Sequence, residues 1–188
     1  MSQVIVLSLV TIDRDAVLMA AAGLLVRNAG ASMAEVARAA GISRASLHRL
    51  VDGRGALVRE LAELSLRRGK AALEVAEPAR GDAREALKRV IVELVPVADL
   101  FNLLYREQSI DEVYAQGAEL DQVITELFQR GQREGVFRVD LSAMWMTEAF
   151  YSLLGGAAQA AQQGRLASRD VGLVTEQTLL AGVGENER

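Results

Sequence analysis

The sequence predicts an all-α protein of about nine helices, in which an N-terminal three-helix unit precedes a larger helical body. Apolar residues recur at intervals of three and four along most of the chain, which is the helical period. Alternating runs joined by Asn-Gly or Asp-Gly turns, the usual signal of β-hairpins, do not occur. With 188 residues, of which 51% are hydrophobic and 24% charged, the chain can bury a substantial core.

The first helix is predicted from Asp13 to Asn28, with Asp13 as its cap and Gly30 as its stop. The apolar run from Val4 to Val10 leads into it. That run lacks a basic segment before it and a small-residue cleavage site after it, so we expect no signal peptide. Charges recur from Asp13 onward, and we expect no membrane-spanning segment and a cytoplasmic protein.

The second and third helices are short and closely spaced. Ser32 and Glu35 form a capping box that starts the second helix, and Gly41 ends it. Ser43 caps the third helix, over residues 44–50. Together with the first helix they form a predicted head at residues 1–54.

The predicted body covers residues 55–188 and is helical throughout. Pro78 with Gly81, and then Pro96, Gly135 and Gly164, mark its turns. Its helices are predicted at residues 55–76, 82–95, 97–107, 112–133, 141–163 and 168–183.

Residues 33–51 have the form of a helix-turn-helix. Two short helices that meet through a tight turn need a small contact residue, which Ala37 supplies, and a left-handed turn residue, which is Gly41. Apolar residues then fill the facing sides, and these are Val36, Ile42, Leu47 and Leu50. The sequence therefore predicts a unit that places its second helix in the major groove of DNA.

The outward face of this second helix carries donors and small side chains. Arg44 is the best candidate for a bidentate contact to guanine, and Ala45 or Ser46 suits a thymine methyl or a base edge. Ser43, or the backbone amides at the helix start, can hold a phosphate. His48 has two open interpretations, a phosphate contact or a partly buried filler of the core.

Charge and composition exclude most alternatives. The first 60 residues carry a net charge of +2 and the rest −6, which suits a basic reading head on an acidic body. The chain has no Cys and one His, so thiolate sites and most His-based catalytic sites are excluded. We expect no catalytic residues, metal or cofactor; an enzyme built on carboxylates alone is the disfavoured alternative, because the Glu-x-x-His pairing of di-iron bundles is absent.

The chain resembles the tetracycline-repressor (TetR) family of bacterial transcriptional regulators from end to end, most sharply at residues 15–22, 32–51 and 54–57. Family members usually carry Tyr, Phe and Lys where this chain has His48, Val51 and Arg54. The resemblance implies that Arg54 keeps a phosphate contact, while Val51 removes an aromatic from the packing between head and body. The residues predicted to contact DNA are Ser32, Ser43, Arg44, Ala45, Ser46, His48, Arg49 and Arg54.

The resemblance also implies a homodimer, held by the last two helices in a four-helix bundle, that binds a palindromic DNA operator and is released by a small effector. Small residues permit a close approach of helices, and the predicted interface residues are Gly155, Gly156, Ala160, Val171, Val174 and Thr178. Aromatic side chains at helical spacing form either core or pocket. A pocket for a lipophilic effector is predicted at Phe101, Tyr105, Trp145, Glu148 and Tyr151. The alternative function is an effector-binding or interaction protein of the same fold whose head has lost DNA binding.

Overall fold

The computed structural model describes residues 13–106 and 111–184, with side chains described at 13–103 and 117–184. Within these ranges the chain forms nine α-helices and two short 3-10 helices, so the all-α prediction is confirmed. The α-helices are α1 (Arg14–Arg27), α2 (Met33–Ala39), α3 (Arg44–Leu50), α4 (Gly53–Ala76), α5 (Ala83–Leu94), α6 (Ala98–Arg106), α7 (Asp111–Arg133), α8 (Ala143–Gln162) and α9 (Val171–Val183).

The helix boundaries follow the predicted caps closely, with two differences. Helix α4 begins at Gly53, two residues before its predicted start, and Asp52 precedes it without a side-chain capping hydrogen bond. The last predicted helix is divided, since Ser168–Asp170 forms a 3-10 turn and α9 begins at Val171. The apolar run from Val4 to Val10 lies outside the described residues.

Two apolar clusters form the core. The head cluster joins buried residues of α1, α2, α3 and the first half of α4, and it also takes in Leu100 and Leu103 of α6. The body cluster joins the second half of α4 with α5, α7, α8 and α9. No helix in the described part of the chain is long and apolar enough to cross a membrane.

Helix α4 belongs to both clusters. Its residues Leu57, Leu61 and Leu64 are buried in the head cluster, whereas Leu73 and Ala76 are buried in the body cluster. The predicted boundary at residues 54 and 55 therefore falls inside a continuous helix. A rigid helix, rather than a flexible linker, connects the two parts.

Two arginines anchor the far end of α4. Arg89 of α5 donates hydrogen bonds to the carbonyl oxygens of Ala76, Glu77 and Arg80, at 2.8 to 3.1 Å. Arg130 of α7 donates to two carbonyls of the following turn, within residues 78–81. These bonds satisfy carbonyls that a helix end leaves unpaired, and they tie the end of α4 to the body.

Candidate nucleic-acid interface and ligand region

The helix-turn-helix forms as its residues require. The Ser32 hydroxyl accepts a hydrogen bond from the amide of Glu35, and the Glu35 carboxylate accepts one from the amide of Ser32, at 2.8 Å. Gly41 adopts a φ of 68°, a left-handed conformation in which glycine has no steric cost. The amide of Ile42 then donates to the carbonyl of Ala37, which closes the turn at 3.0 Å. These local interactions fix the angle between α2 and α3.

Helix α3 buries Leu47 and turns its polar side chains outward. Arg44, Ala45, His48 and Arg49 are exposed, as the sequence predicts. This exposed set provides hydrogen-bond donors beside one small side chain, the combination that suits base edges in a major groove.

Three side chains of this face are linked to one another. The Ser43 hydroxyl caps α3 by accepting a hydrogen bond from the amide of Ser46, at 3.0 Å. The hydroxyls of Ser43 and Ser46 are themselves 2.9 Å apart. The Arg49 guanidinium donates to the Ser46 hydroxyl at 3.0 Å, which limits the rotamers of Arg49. The cap of the helix therefore also orients a side chain that faces outward.

His48 excludes one of its two interpretations, whereas Val51 lies where it was expected. The side chain of His48 is 76% exposed, with its Nε2 3.6 Å from the Asp52 carboxylate, so the interpretation as a partly buried filler is wrong. Val51 is 4% exposed and belongs to the head cluster, which also holds Leu57, Leu61, Leu64, Leu100 and Leu103 from the predicted body. A groove of about 310 Å³ lies beside both residues and beside Arg44, Ala45 and Gly53. Its lining also includes Met33 and the buried side chain of Leu47, so it reaches from the exposed face of α3 to the head cluster.

Arg54 has partners within the head. Its guanidinium donates hydrogen bonds to the carbonyl oxygens of Ala29 and Ala31, at 2.8 and 3.1 Å. Both carbonyls belong to the loop that leads to Ser32 and hence to the start of α2. Arg54 therefore holds the loop in place, a role that the sequence did not suggest, and its phosphate contact stays a prediction.

The predicted ligand residues are only partly brought together. The rings of Phe101 and Tyr151 lie 6.1 Å apart, and Phe150 packs on Tyr151 at 5.1 Å. The side chain of Tyr105 lies outside the described residues. Trp145 is 59% exposed in the first turn of α8, so its prediction as a pocket residue is wrong.

Glu148 is also exposed, one turn further along α8. Burial raises the pKa of the Tyr151 hydroxyl, and the neighbouring carboxylates of Asp121 and Glu148 add to the rise. Asp121 of α7 was not singled out from the sequence, although it flanks the buried positions Leu120 and Ile124 on its helix. The aromatic rings and this carboxylate form the ligand region, defined as Phe101, Asp121, Phe150 and Tyr151.

Within the ligand region, the ring of Phe101 packs closely on α4. A Cβ added to Gly69 of α4 would lie 3.0 Å from the Phe101 ring and 3.1 Å from Leu120, so helix and ring are in close contact. A separate cavity between α1, α6 and α8 measures about 20 Å³, which is room for a water molecule and no more.

Known proteins resemble the chain along most of its length. It is 33% identical over 164 residues to the HTH-type transcriptional regulator NfxB of Pseudomonas aeruginosa, covering 84% of this chain and 87% of that protein. It is 30% identical over 154 residues to the HTH-type transcriptional repressor LfrR of Mycolicibacterium smegmatis, covering 80% of each. A crystal structure of the TetR-like regulator LfrR in complex with proflavine superposes with a TM-score of 0.76, at 28% identity over 90% of this chain and 94% of that one. The chain belongs to the TetR family.

A second crystal structure of LfrR superposes with a TM-score of 0.64, at 24% identity over 89% of this chain and 97% of that one. No family profile matches the sequence. Within the TetR family the named relatives are transcriptional regulators, and this chain is accordingly a DNA-binding transcriptional regulator.

The residues expected at the dimer interface of this TetR-family protein divide into two groups. Gly156, Val174 and Thr178 are exposed on α8 and α9, and Ala160 is half-buried. Val171 is 3% exposed and lies in the body cluster, so its placement on an interface is wrong.

Gly155 does not face outward either. It is buried, and its carbonyl accepts a hydrogen bond from Asn102 of α6, at 2.8 Å. Trp145, Ser152 and Gly156, spaced by seven and four residues, share the exposed face of α8. Trp145 thus lies on the face predicted for the dimer and away from the ligand region.

Proposed function

We propose that the chain is a repressor that binds a palindromic operator as a homodimer and is released by a small effector. The observation that carries the proposal is the exposed face of α3, where Arg44, Ala45, His48 and Arg49 point away from a well-capped helix-turn-helix. Repression agrees with the relative LfrR, which is a transcriptional repressor. Its place of action is the bacterial cytoplasm, where the operator is.

Each residue of the interface has a proposed role. Arg44 and Arg49 contact base edges, with Ala45 close to them, because arginine forks match the O6 and N7 acceptors of guanine. His48, Ser32, Ser43 and Ser46 contact the phosphate backbone through side chains or the amides at the helix starts. Arg54 adds a phosphate contact to its hold on the loop before α2.

A homodimer supplies the second head that a palindrome needs. Two recognition helices about 34 Å apart read successive major grooves. The outer faces of α8 and α9 are small and apolar enough for helices of a second copy to approach closely, through Gly156, Val174 and Thr178. Trp145 extends that surface, and tryptophan is enriched among residues that dominate interface energies.

The effector is proposed to be a lipophilic aromatic molecule, and a positive charge on it would be favoured. LfrR has been crystallised with proflavine, a flat aromatic cation. The ligand region offers Phe101, Phe150 and Tyr151 for stacking and the exposed carboxylate of Asp121 for charge pairing. Trp145 and Glu148 are exposed on α8, so they are not part of the proposed site.

Release follows from the continuity of α4. An effector that separates Phe101 from Tyr151 displaces the ring that touches Gly69 of α4. Arg89 and Arg130 hold the C-terminal end of α4 in the body. A displacement of α4 therefore moves its N-terminal end, which lies in the head. Only a ligand with different affinities for the two head spacings shifts the equilibrium between them.

Selection of the purified protein on a randomised duplex library at about 0.15 M salt tests the proposal, with enriched sites titrated by fluorescence anisotropy. We expect a palindrome with half-sites about one helical turn apart. Titration of that complex with proflavine is expected to release the DNA. Absence of enrichment would instead favour the alternative function, an effector-binding protein whose head no longer binds DNA.

A further inference from the structure

Helix α6 touches three parts of the molecule through four consecutive residues. Leu100 and Leu103 are 1% and 3% exposed and belong to the head cluster. Phe101 packs on Gly69 of α4 and on Tyr151 of α8. Between them, Asn102 reaches α8 on another side. This short helix is therefore a second connection between the body and the head, beside α4, which it also contacts.

The contact of Asn102 with α8 is directional and close. Its Nδ2 donates to the carbonyl oxygen of Gly155 at 2.8 Å. A Cβ built on Gly155 would lie 2.3 Å from Oδ1 of Asn102, so the glycine allows the approach. A Cβ on the next residue, Gly156, would meet nothing within 4 Å. The close packing explains the glycine at 155 and not the one at 156.

Three helices meet at this point. The small cavity of about 20 Å³ is lined by Leu25 of α1, by Asn102 of α6 and by Gln159 of α8. Apolar packing between helices is non-directional, so it sets distance better than it sets position along the axes. A hydrogen bond with a fixed acceptor sets that position.

We propose that Asn102 is a positioning residue: its hydrogen bond to Gly155 ties α6 to α8 and thereby fixes where the DNA-binding head stands relative to the body. Leu100 and Leu103 carry this position to α1. The inference rests on the proposed function for its meaning, since head position decides which spacing of operator half-sites is bound.

Amide hydrogen exchange on the full chain tests the contact without DNA. We compare Gly155→Ala, which adds a methyl against Asn102, with Gly117→Ala on α7, which adds a methyl that meets nothing within 4 Å and lies outside the proposed dimer surface. We expect faster exchange in α1 and α6 for Gly155→Ala and for Asn102→Ala, and no change there for Gly117→Ala. Exchange confined to α8, or an equal response to both glycine variants, would overturn the proposal.

The dependence of DNA affinity on the spacing of operator half-sites distinguishes a positioning role of Asn102 from a merely structural one. Affinity is measured for the wild-type operator and for operators with one base pair added or removed between half-sites. We expect the preference for the wild-type spacing to fall by about 2- to 30-fold in Gly155→Ala and Asn102→Ala, as for other couplings within a protein. An equal loss of affinity for operators of every spacing would contradict the positioning role. A change of oligomeric state in Gly155→Ala alone would contradict it too. If the wild type binds no duplex, the proposed function fails, while the exchange experiment still decides the role of Asn102.

Discussion

Arg54 shows how one side chain can serve both folding and binding. Its planar guanidinium reaches the carbonyls of Ala29 and Ala31 together, which the single ammonium of a lysine does less well. Lysine is the usual residue of the TetR family at this position. The arginine in this chain therefore keeps the positive charge and adds hydrogen bonds that hold the loop before α2.

We expect Arg54→Lys to separate the two roles. The variant keeps the charge, so the dependence of operator affinity on salt should stay as in the wild type. It loses the paired hydrogen bonds, which should lower the free energy of unfolding by about 1 kcal/mol, or about 2–4 °C in Tm. Thermal unfolding and salt titrations of operator binding measure the two effects. Arg54→Ala should lower Tm as well and also reduce the salt slope by about 1.

Asp99 should give the stability a pH dependence. Burial raises the pKa of this carboxyl, and the Gln162 side chain opposes the rise only in part. The folded protein then favours the protonated form of Asp99 more than the unfolded chain does. The charged carboxylate therefore destabilises the folded protein above the raised pKa. This destabilisation is lost as the pH falls through that pKa toward the ordinary value for aspartate.

We therefore expect Asp99→Asn to raise Tm at pH 8 and to change it little at about pH 3. Thermal unfolding across this pH range is the measurement. Glu119→Gln, which removes a charge from the exposed face of α7, is the matched control and should lack this pattern. An equal rise at both pH values for Asp99→Asn would show that the charge is not the cause.

Individual residues were the hardest part to predict. Periodicity placed Trp145 and Tyr151 near each other on one helix, but only the packing of α8 against its neighbours decides that Trp145 faces solvent. Small residues at 155 and 156 look alike in sequence. They differ in the structure because Asn102, from 53 residues earlier in the chain, lies against Gly155.

Elements were predicted better than residues, because their signals are local. The capping box of Ser32 with Glu35 and the stop at Gly41 depend on neighbours within a few residues, and both occur as expected. The division of the last helix was missed because Ser168–Asp170 leads into α9 with no Gly or Pro between the two. Phe137 was not singled out either, although it is fully buried and packs on Phe128 of α7.

Helix α7 depends on a glycine at one position and not at another. A Cβ on Gly131 would lie 2.1 Å from the ring of Phe137, which is fully buried and packs on Phe128. We expect Gly131→Ala to cost about 1–3 kcal/mol through overpacking, measured by urea unfolding. Gly117→Ala on the same helix meets nothing within 4 Å and should be neutral or stabilising. Equal effects of the two substitutions would contradict the packing explanation.

At the scale of the whole molecule, two cores are connected by two helices. Helix α4 passes through both, and α6 contributes Leu100 and Leu103 to the head cluster and Ala98 to the body cluster, against which Phe101 also packs. Charge and motif predict a head and a body, with a boundary at residues 54 and 55 that falls inside α4. The sharing of α4 and α6 could not be predicted, because it depends on contacts between residues far apart in sequence.

The association of two copies should depend on the outer faces of α8 and α9. We expect Val174→Glu to convert a dimer into a monomer, because it places a charge on the apolar surface proposed for the partner. Sedimentation velocity at several concentrations measures this. Val92→Glu introduces the same charge at an exposed valine of α5 and should leave the dimer intact. A Val174→Glu protein that sediments as the wild type would exclude this face as the interface.

The position of Trp145 offers an intrinsic optical signal. It is the chain's sole tryptophan, and 59% of it is exposed on α8, so the indole emission arises from one known place. If two copies meet through this face, the emission maximum should shift to shorter wavelength as protein concentration rises. Self-association could then be followed in unlabelled protein, and separately from events in the ligand region.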